Sequence, residues 1–332
     1  MGRTGPGLKP ITGPRRIYLP TTSASDRIDE IRERIERPRR AAAIIEAALR
    51  NAGHPMTVDP EKLTVSSDCI HETTGSRTLS EHVCDAMYPH EPGGEFFHYT
   101  GRDAFKGIAA NGVLWLAHLL KRIKEHEIST HADQHGYTGY TDAAKKTAYL
   151  DSLAKDLFYT SVTPIGATND GPMWFAFAEG GTGVRLRLRI EVDRDRHHGE
   201  LRKIRYLVVG EKTLLNLINE DLRAAGFPEF LPWTTSKIGA FCLPKAIYGG
   251  EYEVRLLYKF HPDVVSHAHK DPRDLREDSG TFEYWKLPLN KDNDIASVTL
   301  LGIEAGPNAD MAEIRSILAG SGFSGVNLTQ AP

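Results

Sequence analysis

The sequence predicts an α+β fold, in which a helical N-terminal region precedes a larger domain of strands and helices. Up to about residue 90 the apolar residues recur at helical spacing, whereas β-favouring segments outnumber helical ones over residues 95–330. Connections between these segments vary too much for a regular doubly wound sheet. We therefore expect a flexible tail over residues 1–24, a helical N-terminal region over 25–90 and the main domain over 91–332.

Composition indicates a globular chain. The 332 residues, 40% of them hydrophobic, are enough for a large core, and the longest apolar stretches fall far short of the ~20 residues of a membrane span. The first residues are rich in glycine and proline and lack the apolar segment of a secretion signal, so we expect a cytoplasmic protein without membrane contact. A net charge of -3 argues against a nonspecific nucleic-acid coat, which would be basic all over.

Cysteine and histidine spacing predicts neither a disulfide framework nor a metal site. Cys69, Cys84 and Cys242 are odd in number and widely spaced, which is typical of reduced thiols. The histidine pairs at 197–198 and 267–269 have no cysteine or carboxylate at metal-ligand spacing. We expect no metal cofactor.

Two helices are expected in the N-terminal region. The first begins near Ser25, a favourable N-cap, and is interrupted at Pro38. The second runs from about Arg39 to Gly53, where glycine favours a helix end.

A strand, a helix and a second strand open the main domain, at residues 95–100, 101–110 and 113–116. Residues 118–150 are polar and predict a helix followed by a long loop, which is typical of lids and binding loops. Further strands are predicted at 156–162, 184–192, 203–209, 252–260, 297–304 and 325–328, and further helices at 173–179, 211–225 and 310–318.

The strand at 184–192 has one apolar face and one basic face. Its basic face carries Arg185, Arg187 and Arg189, which alternate with aliphatic residues. Such a row is commonly a solvated outer face, although guanidinium groups also suit phosphate binding. Both interpretations remain open at this point.

Several short motifs follow one another in a particular order: His98-Tyr99-Thr100, Tyr159-Thr160-Ser161, Met173-Trp174 before Gly183-Val184, and Glu251-Tyr252-Glu253-Val254-Arg255. In this order the chain resembles bacterial proteins with an ADP-ribosyltransferase-like fold. The opening is similar to that of DarT-type DNA-modifying toxins, and the whole plan is similar to CmdT-type phage-defence toxins, which modify RNA. The resemblance covers about residues 95–330.

The resemblance implies a split β-sheet that holds NAD as co-substrate, and it assigns roles to the matched residues. His98 would hydrogen-bond a ribose hydroxyl, Tyr99 would stack on or wall the nicotinamide, and Thr100 would orient the pocket. Ser161, with Thr163 as a second candidate, would hold the catalytic carboxylate in place.

Trp174 lies near the expected pocket because it follows Asn169-Asp170, and we include it among the NAD-binding residues. A tryptophan in this position is more often a core residue than a cofactor contact.

Glu253 is predicted to carry the catalytic charge. Cleavage of the glycosidic bond of NAD leaves positive charge on the ribose, and one preorganised carboxylate can lower that barrier by roughly 3 to 4 kcal/mol. On a strand Glu251 would share a face with Glu253, and Lys245 or Arg255 could offset their mutual repulsion. In transferases with a Glu-x-Glu pair the second acid is catalytic and the first assists the acceptor. The alternative is an exposed edge strand that simply carries two acids and an arginine.

The resemblance, taken with these residues, implies an NAD-dependent ADP-ribosyltransferase, a toxin or phage-defence effector with a macromolecular acceptor and an antitoxin or other neutralising partner. RNA or DNA is favoured over protein as acceptor because of the basic residues Arg185, Arg187, Arg189, Arg202, Lys203 and Arg205. Two alternatives stay open: an NAD glycohydrolase, and a catalytically silent nucleotide-binding or interaction module.

Overall fold

The computed structural model describes residues 24–119, 127–135, 153–154, 156–167, 170–208, 210–260, 274–277, 281–291 and 293–332. The predicted tail lies outside these ranges except for residue 24, and so does most of the loop predicted within 118–150. Among the described helices, none combines the length and the apolar character that crossing a bilayer requires.

The helices are α1 (Ala24–Asn51), α2 (Thr78–Met87), α3 (Arg102–Asn111), α4 (Glu127–His135), α5 (Asp170–Phe177), α6 (Leu214–Ala224), α7 (Thr235–Ala240), α8 (Lys245–Tyr248) and α9 (Met311–Ala319). The strands are β1 (Leu63–Val65), β2 (Ile70–Glu72), β3 (Gly93–Thr100), β4 (Val113–His118), β5 (Leu157–Pro164), β6 (Val184–Glu191), β7 (Gly199–Lys203), β8 (Arg205–Leu207), β9 (Cys242–Pro244), β10 (Val254–Lys259), β11 (Asp274–Glu277), β12 (Thr281–Pro288), β13 (Ser297–Ala305) and β14 (Leu328–Gln330).

Within the described residues, ten strands form one mixed sheet in the order β11-β12-β4-β5-β3-β6-β13-β14, and β10 pairs with both β5 and β7. Neighbouring strands are antiparallel except for the parallel pair of β13 and β14. Two smaller sheets pair β1 with β2 and β8 with β9. The predicted α+β class is therefore confirmed.

Strand β5 joins two groups of strands that separate along its length. Its first half registers with β4, where Tyr159 lies opposite Ala117, and its end registers with β3, where Thr163 lies opposite Phe97. Residues 157–162 of β5 register with β10, and because residues 158 and 159 also register with β4, β10 lies along the other edge of β5. The sheet therefore opens between β3 and β4, and the opening forms the cleft described below.

The sheet is buried on both faces. Tyr159 and Leu257 point into one hydrophobic core, which α1 and α2 share with α6 and α7. Phe158 and Leu256, their neighbours on the same strands, point into a second core with α3 and α9. Because α1 and α2 pack in the first core, the helical N-terminal region and the sheet share buried surface. The division at residue 90 stays a prediction.

Most predicted elements are confirmed, including α3, which ends where Gly112 adopts the left-handed conformation (φ 67°) that glycine tolerates. The interruption at Pro38 is wrong, because α1 runs through it. A proline removes one helical hydrogen bond, and the second half of α1 is fixed by the buried side chains that begin at Ala41.

The single strand predicted at 203–209 is wrong as well. It divides into the end of β7 and the separate strand β8, which pairs with β9. The reason lies in the partner strand: β10 begins only at Val254, so that the last ladder position of β7 is Lys203. After Lys203 the chain no longer pairs with β10, and Arg205 of β8 pairs with Cys242 of β9.

Candidate functional site

A cleft of about 710 Å³, including its open mouth, lies where β3 and β4 separate. One wall comes from α5, and the segment before β10 contributes two acids, Glu251 and Glu253. The aromatic lining consists of Phe97, Tyr99, Trp115, Tyr159 and Phe177.

Glu253 is buried at the base of this cleft, with 6% of its surface exposed. Its carboxylate accepts hydrogen bonds from the Ser161 hydroxyl and from the Arg255 guanidinium. Its backbone N–H donates to the Tyr206 hydroxyl at 2.8 Å. The Ser161 hydroxyl therefore holds one oxygen of this carboxylate, and the backbone of Glu253 is fixed as well.

Arg255 is the cationic partner of Glu253. Its Nε lies 2.9 Å from Oε1 and one terminal nitrogen lies 3.2 Å from Oε2, so the guanidinium engages both carboxylate oxygens. The other terminal nitrogen donates to the carbonyl of Ala240. The Tyr159 ring lies under the guanidinium, with its centroid 4.1 Å from Cζ. This cation is held on three sides, which suits a rigid ion pair.

The prediction that Glu251 shares one face of a strand with Glu253 is wrong. Both acids line the cleft, but they do not lie on a strand, because β10 begins at Val254. Tyr252 between them has φ 49°, a left-handed conformation that a bulky residue rarely adopts, and its side chain is 52% exposed. Both acids therefore reach the cleft because of this irregular backbone and not because of strand alternation.

His98 contacts Ser161, the same residue that bonds Glu253. Its Nδ1 is 3.0 Å from the carbonyl oxygen of Ser161, which can only accept, so Nδ1 carries the proton. In the neutral ring Nε2 is then an acceptor. The same residue, Ser161, thus orients His98 through its backbone and Glu253 through its side chain.

Tyr99 is part of the opposite wall and is fixed by its hydroxyl. That hydroxyl donates to Asp170 on α5 at 2.9 Å and accepts from Arg185 on β6 at 2.8 Å. Burial raises the pKa of Tyr99 to about 12, which keeps the hydroxyl protonated. Arg185 also bonds Glu304 and lies 3.9 Å from the centroid of Phe97, so it supports the wall and is itself buried.

Thr100 and Trp174 lie outside the described lining of the cleft. Trp174 packs edge-on against Tyr99, 5.1 Å between centroids, in a small core behind the wall. Thr100 ends β3, buried against Gly183, where a side-chain carbon would come within 2.3 Å of the Thr100 carbonyl. This close approach accounts for the glycine of the Gly183-Val184 motif.

The other basic residues singled out in the sequence divide by environment. Arg187 and Arg189 are half exposed, and both pair with Glu95. Arg202 contradicts the expected surface role, because it is fully buried between Asp85 and Glu200. Lys203 pairs with Glu91 and Arg205 with Glu211, and neither residue lines the described cleft.

Several residues of the site were not predicted: Tyr206, whose hydroxyl fixes the backbone of Glu253, and Phe97, Trp115 and Phe177, which form walls of the cleft. Strand alternation gives a partial signal for Trp115, since it is the exposed position between buried Leu114 and Leu116. Nothing in the spacing of Tyr206 relates it to the acids.

No group of three or more histidine, cysteine or carboxylate side chains that could hold a metal ion occurs among the described residues. Comparison with protein-family models, with curated proteins and with solved structures found no match to this chain.

Proposed function

We propose that the chain is an NAD-dependent ADP-ribosyltransferase with Glu253 as its catalytic carboxylate. The observation that carries the proposal is the shared cleft: a buried acid fixed by Ser161, an imidazole at His98 and an aromatic wall at Tyr99 all line it. These are three of the motifs on which the resemblance to ADP-ribosyltransferases rests. Their sequence separation is large, so their convergence is not a consequence of local spacing.

The protonation of His98 supports the role proposed for it. With Nδ1–H donated to the Ser161 carbonyl, Nε2 is the acceptor that a hydrogen bond from a ribose hydroxyl requires. Glu253 would accept from a hydroxyl of the same sugar and stabilise the positive charge that develops there as the bond to nicotinamide breaks. The nicotinamide leaves with the bonding electrons, and the acceptor that replaces it loses a proton.

The charge of the lining supports a cationic ligand. In the described lining there are two carboxylates and several aromatic rings, but no lysine or arginine. The nicotinamide ring of NAD is positively charged, and both aromatic faces and carboxylates attract such a group. The cleft is therefore best suited to the nicotinamide riboside half of the dinucleotide.

The opening between β3 and β4 supports the finer fold proposal. Strand β5 pairs with β4 at one end and with β3 at the other, which is the arrangement that a split sheet around NAD requires. We therefore propose an ADP-ribosyltransferase-like fold for residues 91–332.

For the acceptor we favour RNA or DNA. Arg187 lies opposite Phe97 in the register of β3 and β6, so its guanidinium projects from the face of the sheet that carries the cleft wall. A role in toxicity or phage defence, with a neutralising partner, rests on the resemblance alone.

The test is incubation with NAD labelled in the adenylate half, together with RNA, DNA or a protein extract. Nicotinamide release with label on an acceptor supports the transferase, and free ADP-ribose alone supports the glycohydrolase. Glu253→Gln keeps the shape of the side chain, and we expect NAD cleavage to fall by about 10² to 10³. Glu61→Gln, on the exposed surface of the N-terminal region, is the matched control.

A second candidate, NAD binding without turnover, is favoured by one observation. The Arg255 guanidinium already engages both oxygens of Glu253, which reduces the negative charge that a developing cation would meet. Calorimetric NAD binding with no nicotinamide release, in the wild type and in Glu253→Gln alike, would establish this candidate and exclude the enzyme.

A further inference from the structure

Arg255 belongs to a row of polar residues that crosses the sheet. It lies opposite Ser161 on β5 and opposite Arg202 on β7, so the three side chains project from one face. Side chains in such a row restrict one another, and this row ends at the cleft.

The two carboxylate oxygens of Glu253 have different hydrogen-bond partners. Oε1 accepts from the Ser161 hydroxyl and from Arg255 Nε. Oε2 accepts from one terminal nitrogen of Arg255 at 3.2 Å, and the same nitrogen lies closer to Oε1, at 2.9 Å. A carboxylate oxygen has about two lone-pair sites, so the described contacts fill Oε1 and leave capacity at Oε2.

We propose that Arg255 is a positioning residue, which with Ser161 occupies Oε1 of Glu253 and so presents Oε2 to the ribose hydroxyl of the substrate. The proposal rests on the proposed function. The guanidinium fork is essential to it, because a fork engages both oxygens in one plane and fixes the rotation of the carboxylate. A lysine in the same place would supply the charge but not the plane.

The test compares Arg255→Lys with Arg255→Gln and separates kcat from the KM for NAD. We expect both variants to lower kcat, Arg255→Lys by about 100-fold, the scale of a misplacement of about 1 Å, with little change in KM. A purely structural role would lower the amount of folded enzyme and leave kcat per folded molecule unchanged. Wild-type kcat in folded Arg255→Lys would overturn the proposal.

Ser161→Ala provides a second measurement if Arg255→Gln fails to fold. It removes the other group on Oε1 without creating a buried charge, and we expect kcat to fall less than in Arg255→Lys, again at constant KM. An unchanged kcat in Ser161→Ala would contradict the idea that occupation of Oε1 matters.

A spectroscopic readout separates this proposal from the proposed function. In protein labelled with ¹³C at the glutamate carboxyl carbons, the Glu253 signal is identified by its loss in Glu253→Gln. We expect that signal to shift in Arg255→Lys even if the wild type cleaves no NAD, in which case the proposed function fails and the positioning of Glu253 stands. An unchanged signal would overturn the positioning itself.

Discussion

Two buried arginines face each other across β7 and β10, and their surroundings differ. Arg202 bonds Asp85 on α2, Glu200 on its own strand and the backbone carbonyl of Tyr88. Arg255 bonds Glu253, which lines the cleft. The first arginine ties the N-terminal helices to the sheet, whereas the second ends at a cavity that can hold a ligand.

The comparison shows that a buried, paired arginine can either connect parts of the fold or end at a cleft. Burying a charge is costly unless partners satisfy it, and both arginines meet this condition. Around Arg202 the compensation extends through Glu200 to Lys237 and on to Glu81, all within the protein. Around Arg255 the acid keeps a surface toward the cleft. We therefore expect the Arg202 cluster to govern stability and the Arg255 pair to govern chemistry.

Replacement of Arg202 should have the largest effect on stability. Arg202→Met fits an apolar side chain beside Phe241 but leaves Asp85 and Glu200 without their shared cation, so we expect a loss of about 3 to 5 kcal/mol in the free energy of unfolding. Urea denaturation measures it. Arg187→Met, at a half-exposed arginine, is the control, with less than about 0.5 kcal/mol. A small loss in Arg202→Met would remove the distinction between the two arginines.

The pH dependence of unfolding sharpens the comparison. Burial alone would raise the pKa of Glu200, but Lys237 and Arg202 outweigh it and lower the pKa to about 2. A carboxyl with a lowered folded-state pKa contributes stability above its unfolded pKa of about 4.5, and this contribution is lost as the pH falls toward 2. The difference between the unfolded-state and folded-state pKa values of Glu200 corresponds to about 3 kcal/mol in the free energy of unfolding. Urea denaturation between pH 6 and pH 2 should show this loss.

His90 adds to the same trend at higher pH. Burial, with Arg202 nearby, lowers its pKa to about 4, so between pH 6.5 and 4 the unfolded imidazole binds a proton that the folded one does not. Stability therefore falls in this window too. Glu200→Gln should flatten the profile below pH 4.5, whereas Glu95→Gln should flatten it less, because Arg187 and Arg189 lower the pKa of Glu95 only at the exposed surface, where solvent screens the charges. A flat wild-type profile would contradict the role given to the cluster.

At the cleft wall, Tyr99→Phe tests whether the Tyr99 hydroxyl only holds the wall in place while the ring contacts the ligand. Asp170 and Arg185 also contact each other directly at 2.9 Å, so removal of the hydroxyl leaves neither charge unpaired. We expect a loss of only about 1 kcal/mol in unfolding free energy and little change in NAD affinity. Tyr99→Ala should abolish NAD binding, measured by calorimetry. Equal losses of affinity in both variants would assign the hydroxyl a direct contact with the ligand.

The sequence predicts those features that depend on local pattern. Alternation along 184–192 identifies β6, and the motif order identifies His98, Ser161 and Glu253, which the fold brings to one cleft. Pattern alone could not give the left-handed Tyr252, because the left-handed position itself carries a bulky residue and not a glycine. Glu251 and Glu253 were therefore paired on the basis of strand alternation, although the backbone at these residues is not a strand.

Environment explains the remaining differences. Arg185, Arg187 and Arg189 occupy equivalent positions on one strand, yet Arg185 is buried because Asp170 and Glu304 lie beside it. Likewise, Arg202 depends on Asp85, which is 117 residues away in the chain. Contacts between residues this far apart in the chain decide whether an arginine is exposed to solvent. The spacing of residues in the sequence does not reveal such contacts.

The smallest effect on stability is expected at the two exposed arginines, and it tests the acceptor. Arg187 and Arg189 share Glu95, and exposed pairs of this kind contribute less than about 1 kcal/mol, so Arg187→Gln with Arg189→Gln should unfold like the wild type. If these guanidinium groups contact phosphates, the double variant should bind RNA or DNA more weakly and lower the salt dependence of log K by about two. Lys212→Gln with Arg223→Gln, on α6 and the segment before it, is the charge-matched control. An unchanged salt dependence would remove the arginine row from acceptor binding and favour a protein acceptor, since the described lining of the cleft is itself acidic.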